Sequence, residues 1–141
     1  MSKSLLVHIG IRATDLEASV RFWRDALGLN VADHTSTTCY DLTDGYHNFR
    51  LFQHEGPERP PHVSGMLDYL HLGVRVPCLK EAAERCKAMG FQIIYEGLGG
   101  EVKDPDYIPN LEFKVEDPDG IVVDITEQRE QWPGVDIEEK A

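Results

Sequence analysis

The chain lacks any apolar run approaching 18 residues, so no segment reads as a membrane-spanning helix. It also lacks a basic excess. Only 14 Lys and Arg stand against 25 Asp and Glu, and the net charge of −11 argues against nucleic acid or an anionic membrane as a partner. No glycine-rich loop follows a strand in the phosphate-cradling pattern, which leaves a parallel dinucleotide-binding fold without support. The three cysteines, Cys39, Cys78 and Cys86, are odd in number and have no paired metal spacing. They are expected to be inert thiols in a reducing cytosol. Met1–Leu6 is too short for a signal peptide, so the protein is expected to be soluble and cytoplasmic.

What the chain does have is an internal repeat. His8-Ile9-Gly10-Ile11-Arg12 returns 63 residues later as His71-Leu72-Gly73-Val74-Arg75. Leu16 answers Leu79, and Leu27-Gly28-Leu29 answers Met89-Gly90-Phe91 after a one-residue slip. Each copy reads as a strand, a helix, a glycine that stops the helix, and another strand. Two modules related by a pseudo-twofold would place His8 and His71 at equivalent points on two sheets. A length of 141 residues suits one compact domain or two half-size modules sharing a core.

In chain order, alternation over 5–12 predicts a first strand with His8 and Gly10 on one face. Thr14 or Asp15 caps a helix whose apolar stripe is Leu16, Val20, Trp23 and Leu27, widened by Phe22 and Ala26 and ended by Gly28. Strands follow over 30–35, 38–42 and 46–53. On the last of these Asn48, Arg50 and Phe52 share one face, and His47, Phe49, Leu51 and Gln53 the other. Residues 1–54 thus form a first βαβββ module, and the proline-bearing stretch 55–67 is a linker. Residues 68–127 form a second such module. It has a strand over 68–76, a helix over 79–89 with Ala82, Ala83 and Cys86 inward, and strands over 91–96, 110–116 and 121–126. The stretch 97–109 is long enough to be a lid or a plain connection. Asp117-Pro118-Asp119-Gly120 is a tight turn. The polar tail, 128–141, contains Trp132-Pro133, which can fold back on the body. The class is α+β, one domain of two paired βαβββ modules.

Packing alone would be served better by Val or Ile than by imidazole, so two histidines at repeat-equivalent positions point to a metal. Asp124 has the opposite parity to Val123 and Ile125, which aims it alone at a cavity, where a cation would offset its burial. The alternative is an ion pair, with Arg50 as the obvious partner. Arginine cannot ligate a metal. His8, His71 and Asp124 therefore remain as a two-His, one-carboxylate set with open positions, the ligand count of an Fe(II) facial triad. Arg50 would then anchor an anionic substrate group or stabilise developing negative charge. His34, His54 and His62 are expected at the surface. Tyr40, Tyr95, Tyr107 and Phe113 are first of all core residues, with a cavity lining as the alternative.

The two His-x-Gly-x-Arg copies, with the Asp-Leu-Glu-Ala-Ser helix start and the ending Glu116-Asp117-Pro118-Asp119-Gly120-Ile121-Val122-Val123-Asp124, resemble the vicinal oxygen chelate superfamily. That group holds glyoxalase I, methylmalonyl-CoA epimerase, bleomycin and fosfomycin resistance proteins and extradiol dioxygenases. The resemblance implies paired βαβββ modules curling into a half-open barrel around a central cavity. It implies metal ligands on the first and last strand of each module, which match His8, Arg50, His71 and Asp124. Arg50 departs from the Glu or Gln of the glyoxalases, and Asp124 is one methylene shorter than the usual Glu. The expected function is a divalent-metal-dependent enzyme acting on a small vicinal-oxygen substrate and leaning to dioxygenase chemistry. Fe(II) is favoured, with Zn, Ni, Co or Mn as alternatives. The other readings are a lyase or isomerase of the lactoylglutathione lyase or epimerase type, and a metal-free small-molecule-binding or resistance protein. A homodimer is expected.

Overall fold

The computed structural model describes residues 5–57, 71–94, 111–135 and 137. The first module runs β1 His8–Ala13, helix α1 Leu16–Val20, a wider π-helical continuation Arg21–Ala26, β2 Asn30–Asp33, β3 Cys39–Thr43 and β4 Asn48–Gln53. The second runs β5 Leu72–Arg75, α2 Leu79–Ala88, β6 Ile93–Ile94, β7 Glu112–Glu116 and β8 Val122–Thr126. The sheets have the orders β1-β4-β3-β2 and β5-β8-β7-β6, with β1 parallel to β4, β5 parallel to β8, and the other neighbours antiparallel. The expected α+β class and paired βαβββ modules are those of the structure. The two sheets remain separate four-stranded sheets, not a closed barrel.

Local chemistry sets the helices. Asp15, in extended conformation, caps α1 by accepting from the Ala18 amide at 3.1 Å, and Gly28 ends the helical run at φ +85, where a side chain is disfavoured. The one-residue slip between the repeats is absorbed inside the first helix. There Leu27 N–H donates to Phe22 C=O at 3.2 Å, a five-residue step that takes up one more residue than an α turn. The wide segment buries Phe22, Trp23 and Ala26 together. In the second module α2 turns Leu79, Ala82, Ala83 and Cys86 inward. Glu127 Oε2 accepts from the Leu79 amide at 2.7 Å, so a residue from beyond β8 completes its N-terminus.

The helices cover one face of each sheet, and one hydrophobic core runs through both modules. Phe22 meets Phe91 edge to face with centroids 4.8 Å apart, and Arg85 Nε donates to Ala26 C=O at 3.3 Å. The turn before β8 ties in as well. Asp119 accepts from Thr14 Oγ1 at 2.6 Å and from the Thr14 amide, and Asp117 accepts from Trp23 Nε1 at 3.4 Å. Asp117 Oδ1 also accepts from the amides of Asp119 and Ile121, both at 2.9 Å, which closes the turn. Cys86 is fully buried, and burial pushes its thiol up to about 11.

The expected linker falls mainly at 58–67, outside the described residues, as do the 97–109 stretch, Tyr95, Tyr107 and His62. Among the described residues, no helix is long and apolar enough to cross a membrane.

Candidate functional site

The outer face of the first sheet carries a connected set of polar side chains. Arg50 sits directly across from Asp41 and binds it with two contacts, Nε to Oδ1 at 2.6 Å and Nη2 to Oδ2 at 3.1 Å. Asn48 Nδ2 donates to the same Asp41 Oδ1 at 2.8 Å, and His8 Nδ1 lies 2.6 Å from Asn48 Oδ1. Hydrogen bonds from Arg50 and then Asn48 hold the Asp41 carboxyl below the usual range. A carboxylate only accepts, so the amide of Asn48 must face it. The amide oxygen then needs a donor, and the network assigns that proton to His8 Nδ1. In the neutral ring His8 Nε2 is then the lone-pair nitrogen, the way a metal-binding imidazole is oriented.

The second sheet repeats this row with the charges reversed. Gly10, Arg50 and Asp41 are in register across β1, β4 and β3, and Gly73, Asp124 and Lys114 across β5, β8 and β7. Lys114 Nζ lies 3.3 Å from Asp124 Oδ2, and His71 Nε2 lies 3.7 Å from the same oxygen. Asp124 is 4 % exposed and Lys114 8 %, whereas the Arg50 side chain is 40 % exposed, so the second row is buried and the first half open. Asp124 Oδ1 is buried with no hydrogen-bond partner among the described residues. Each predicted ion-pair residue thus has a partner within its own sheet. Arg50 pairs with Asp41 rather than with Asp124.

His71 and Asp124 come together, while His8 belongs to the other sheet. Among the described residues, no three His, Cys, Asp or Glu side chains form one group. The donors nevertheless suit a divalent cation in kind. They comprise an imidazole fixed with a free Nε2, a second imidazole beside a carboxylate, and a buried carboxylate oxygen that lacks a partner.

The tail explains part of the asymmetry between the rows. Trp132 lies over Gly73, where an added Cβ would stand 2.7 Å from the indole. At Gly10 it would meet Phe52 and His8 at 3.4 and 3.5 Å, which is ordinary contact. Gly73→Ala is therefore expected to expel the Trp132 ring, cost about 1–3 kcal/mol and red-shift tryptophan emission. Gly10→Ala should change neither stability nor emission appreciably. Equal melting temperatures and spectra for the two variants would refute this. A cleft of about 470 Å³ under the tail is lined by residues including Arg75, Arg129, Trp132 and Val135. Neither His8, His71, Asp124 nor Arg50 lines it, so the tail shapes this cleft and the ligand positions do not.

The remaining candidates are structural. Gln53 accepts from the Leu16 amide and donates to Thr14 C=O, and His34 stacks on Tyr40 at 3.5 Å between centroids. Phe113 is core. His54, expected in solvent, is half-buried, and its Nε2 is enclosed with no hydrogen-bond partner among the described residues. Asp41 and Lys114 escaped the sequence reading, which placed Asn48 on the face of Arg50 without giving it a role. The register of an antiparallel pair could have flagged the first two, since each lies opposite a candidate ligand position.

A family model for the Glyoxalase/Bleomycin resistance protein/Dioxygenase superfamily matches residues 5–125. The chain belongs to this superfamily. A search of curated protein sequences finds no match. Among solved structures, a candidate glyoxalase from Bacillus halodurans aligns at TM-score 0.67 and 23 % identity over 88 % of this chain and 96 % of that one. The trypanothione-dependent glyoxalase I of Leishmania major aligns at 0.60 and 22 %, covering 88 % and 86 %. A bleomycin resistance determinant encoded on transposon Tn5 aligns at 0.54 and 17 %, covering 89 % and 99 %. These structures share the fold with this chain.

Proposed function

We propose that the chain is a divalent-metal-dependent enzyme of this superfamily, acting on a small substrate with vicinal oxygens at a centre formed by His8, His71 and Asp124. The observation that carries this reading is the buried Asp124 Oδ1, which has no hydrogen-bond partner among the described residues and belongs to a carboxylate beside His71. The Asn48–Asp41 relay supports it by turning His8 Nδ1–H toward Asn48 Oδ1, which makes Nε2 the lone-pair nitrogen of the neutral ring. A homodimer that sets the first sheet of one copy against the second sheet of another would gather all three donors. Exposed Leu5, Leu6 and Val7 just before β1 and Ile9 on it supply apolar area for such a contact. Three free thiols suit a reducing cytoplasm.

When bound, the metal would act as a Lewis acid on substrate oxygens, with iron(II) serving oxygenase chemistry and Zn, Ni, Co or Mn lyase or isomerase chemistry. The protein's part is orientation. Arg50 commits two of its five N–H donors to Asp41, so the remaining three can hold an anionic group of the substrate. Asp41 fixes the guanidinium plane that presents them.

Lys114 against Asp124 favours a second reading, a metal-free small-molecule-binding protein. Metal content after anaerobic purification separates the two. Near-stoichiometric iron that is lost in His71→Ala is the expected result. Zinc, nickel, cobalt or manganese would move the reading to a lyase or isomerase. Absence of metal even after soaking would leave the binding protein.

A further inference from the structure

We infer that Lys114 is an internal counter-cation of the metal centre, which keeps divalent-cation affinity low and disfavours calcium. The inference rests on the proposed centre at His8, His71 and Asp124. Its ground is the reversed row. Where the first sheet has the anion Asp41 opposite Arg50, the second has the cation Lys114 opposite Asp124. The ammonium lies 3.3 Å from Oδ2, and both side chains are at most 10 % exposed. The carboxylate is therefore neutralised without a metal, and only Oδ1 is left to bind one.

Two consequences follow from charge and geometry. A dication at Oδ1 would stand within a few ångströms of the Lys114 ammonium, in a site too buried for water to screen the repulsion. Binding is then weaker than the donor set alone would give. A carboxylate restricted to one oxygen also serves calcium poorly, because calcium takes six to eight oxygens and often both of one carboxylate. Imidazole with one carboxylate oxygen still suits zinc, cobalt, nickel and iron.

The test uses cobalt(II) and calcium titrations, followed by visible absorption and calorimetry, on the full chain and on Lys114→Met, Lys114→Gln and Lys114→Arg. Met keeps the apolar stem, Gln keeps a hydrogen bond to Oδ2, and Arg keeps the charge. Met and Gln are expected to tighten cobalt by at least about tenfold, and Met, which also frees Oδ2, to tighten calcium by more, while Arg stays within about threefold of the parent. Unchanged or weaker cobalt binding in Met and Gln would make Lys114 a structural ion pair only and overturn the inference. Cobalt bound by none of the four proteins would overturn the metal centre itself. If Met and Gln fold only with cobalt present, the inference stands. If they fail to fold with cobalt as well as without it, the inference is lost.

Discussion

Trp23→Ala is expected to remove about 3–5 kcal/mol of folding stability, the cost of emptying a large buried aromatic site. Trp23 is 1 % exposed and contacts Phe22 at 5.1 Å and Phe49 at 4.5 Å between centroids. Its indole N–H reaches Asp117 in the turn before β8, so the side chain belongs to the first module's core and to the second module's turn at once. Burial raises the Asp117 carboxyl above its usual range, against the opposing hydrogen bonds from the Ile121 and Asp119 amides. Trp23→Phe should cost less, about 1 kcal/mol beyond the lost area, because it keeps the ring and drops the hydrogen bond. Urea unfolding followed by circular dichroism and by fluorescence would read both values. Coincident transitions are expected, since Phe22 and Phe91 share the core across the modules. A loss under about 1 kcal/mol for Trp23→Ala, or two separate transitions, would show that the modules fold independently.

Asp124→Ala should cost about 3 kcal/mol or more, the range for removing one partner of a buried ion pair. The Lys114 ammonium loses its described counter-ion at 3.3 Å, in a position where water reaches little of it. Asp124→Leu combined with Lys114→Met should recover most of that loss, since apolar pairs of similar volume replace buried ion pairs at little cost. The comparison separates structure from chemistry. The double variant is expected to be stable and to bind no cobalt, and Asp124→Ala to be unstable and to bind none. A single variant as stable as the parent would mean that the pair is wetter than its exposure indicates.

Much of the fold is legible in the sequence because its signals are local. The helix stripe of Leu16, Val20, Trp23 and Leu27, the glycine stops and the Asp-Pro-Asp-Gly turn each depend on neighbours a few residues away. The face of β4 that carries Asn48, Arg50 and Phe52 follows from alternation alone, and the burial along that strand agrees with it. What the sequence does not convey is which polar side chain stands opposite which. Arg50 with Asp41 and Asp124 with Lys114 are cross-strand pairs, nine and ten residues apart, fixed by register. A reading that matched ligand positions across the modules had reason to set Arg50 against Asp124. The sheets instead settle each charge locally. Nor does alternation reveal that Trp132 covers Gly73, because that contact joins a β-strand to a polar tail nearly sixty residues on.

The wide helical turn at Arg21–Ala26 bears on how such a chain can change over generations. If the two modules arose by duplication of one gene segment, one copy has since gained or lost a single codon between its histidine and its glycine stop. The five-residue step confines that difference to one turn. β1 and β2 on either side keep their places in the sheet. Mutational drift in module length therefore leaves the Gly10–Arg50–Asp41 row and the Gly73–Asp124–Lys114 row in matching register, and each row can alter its side chains without any strand having to move.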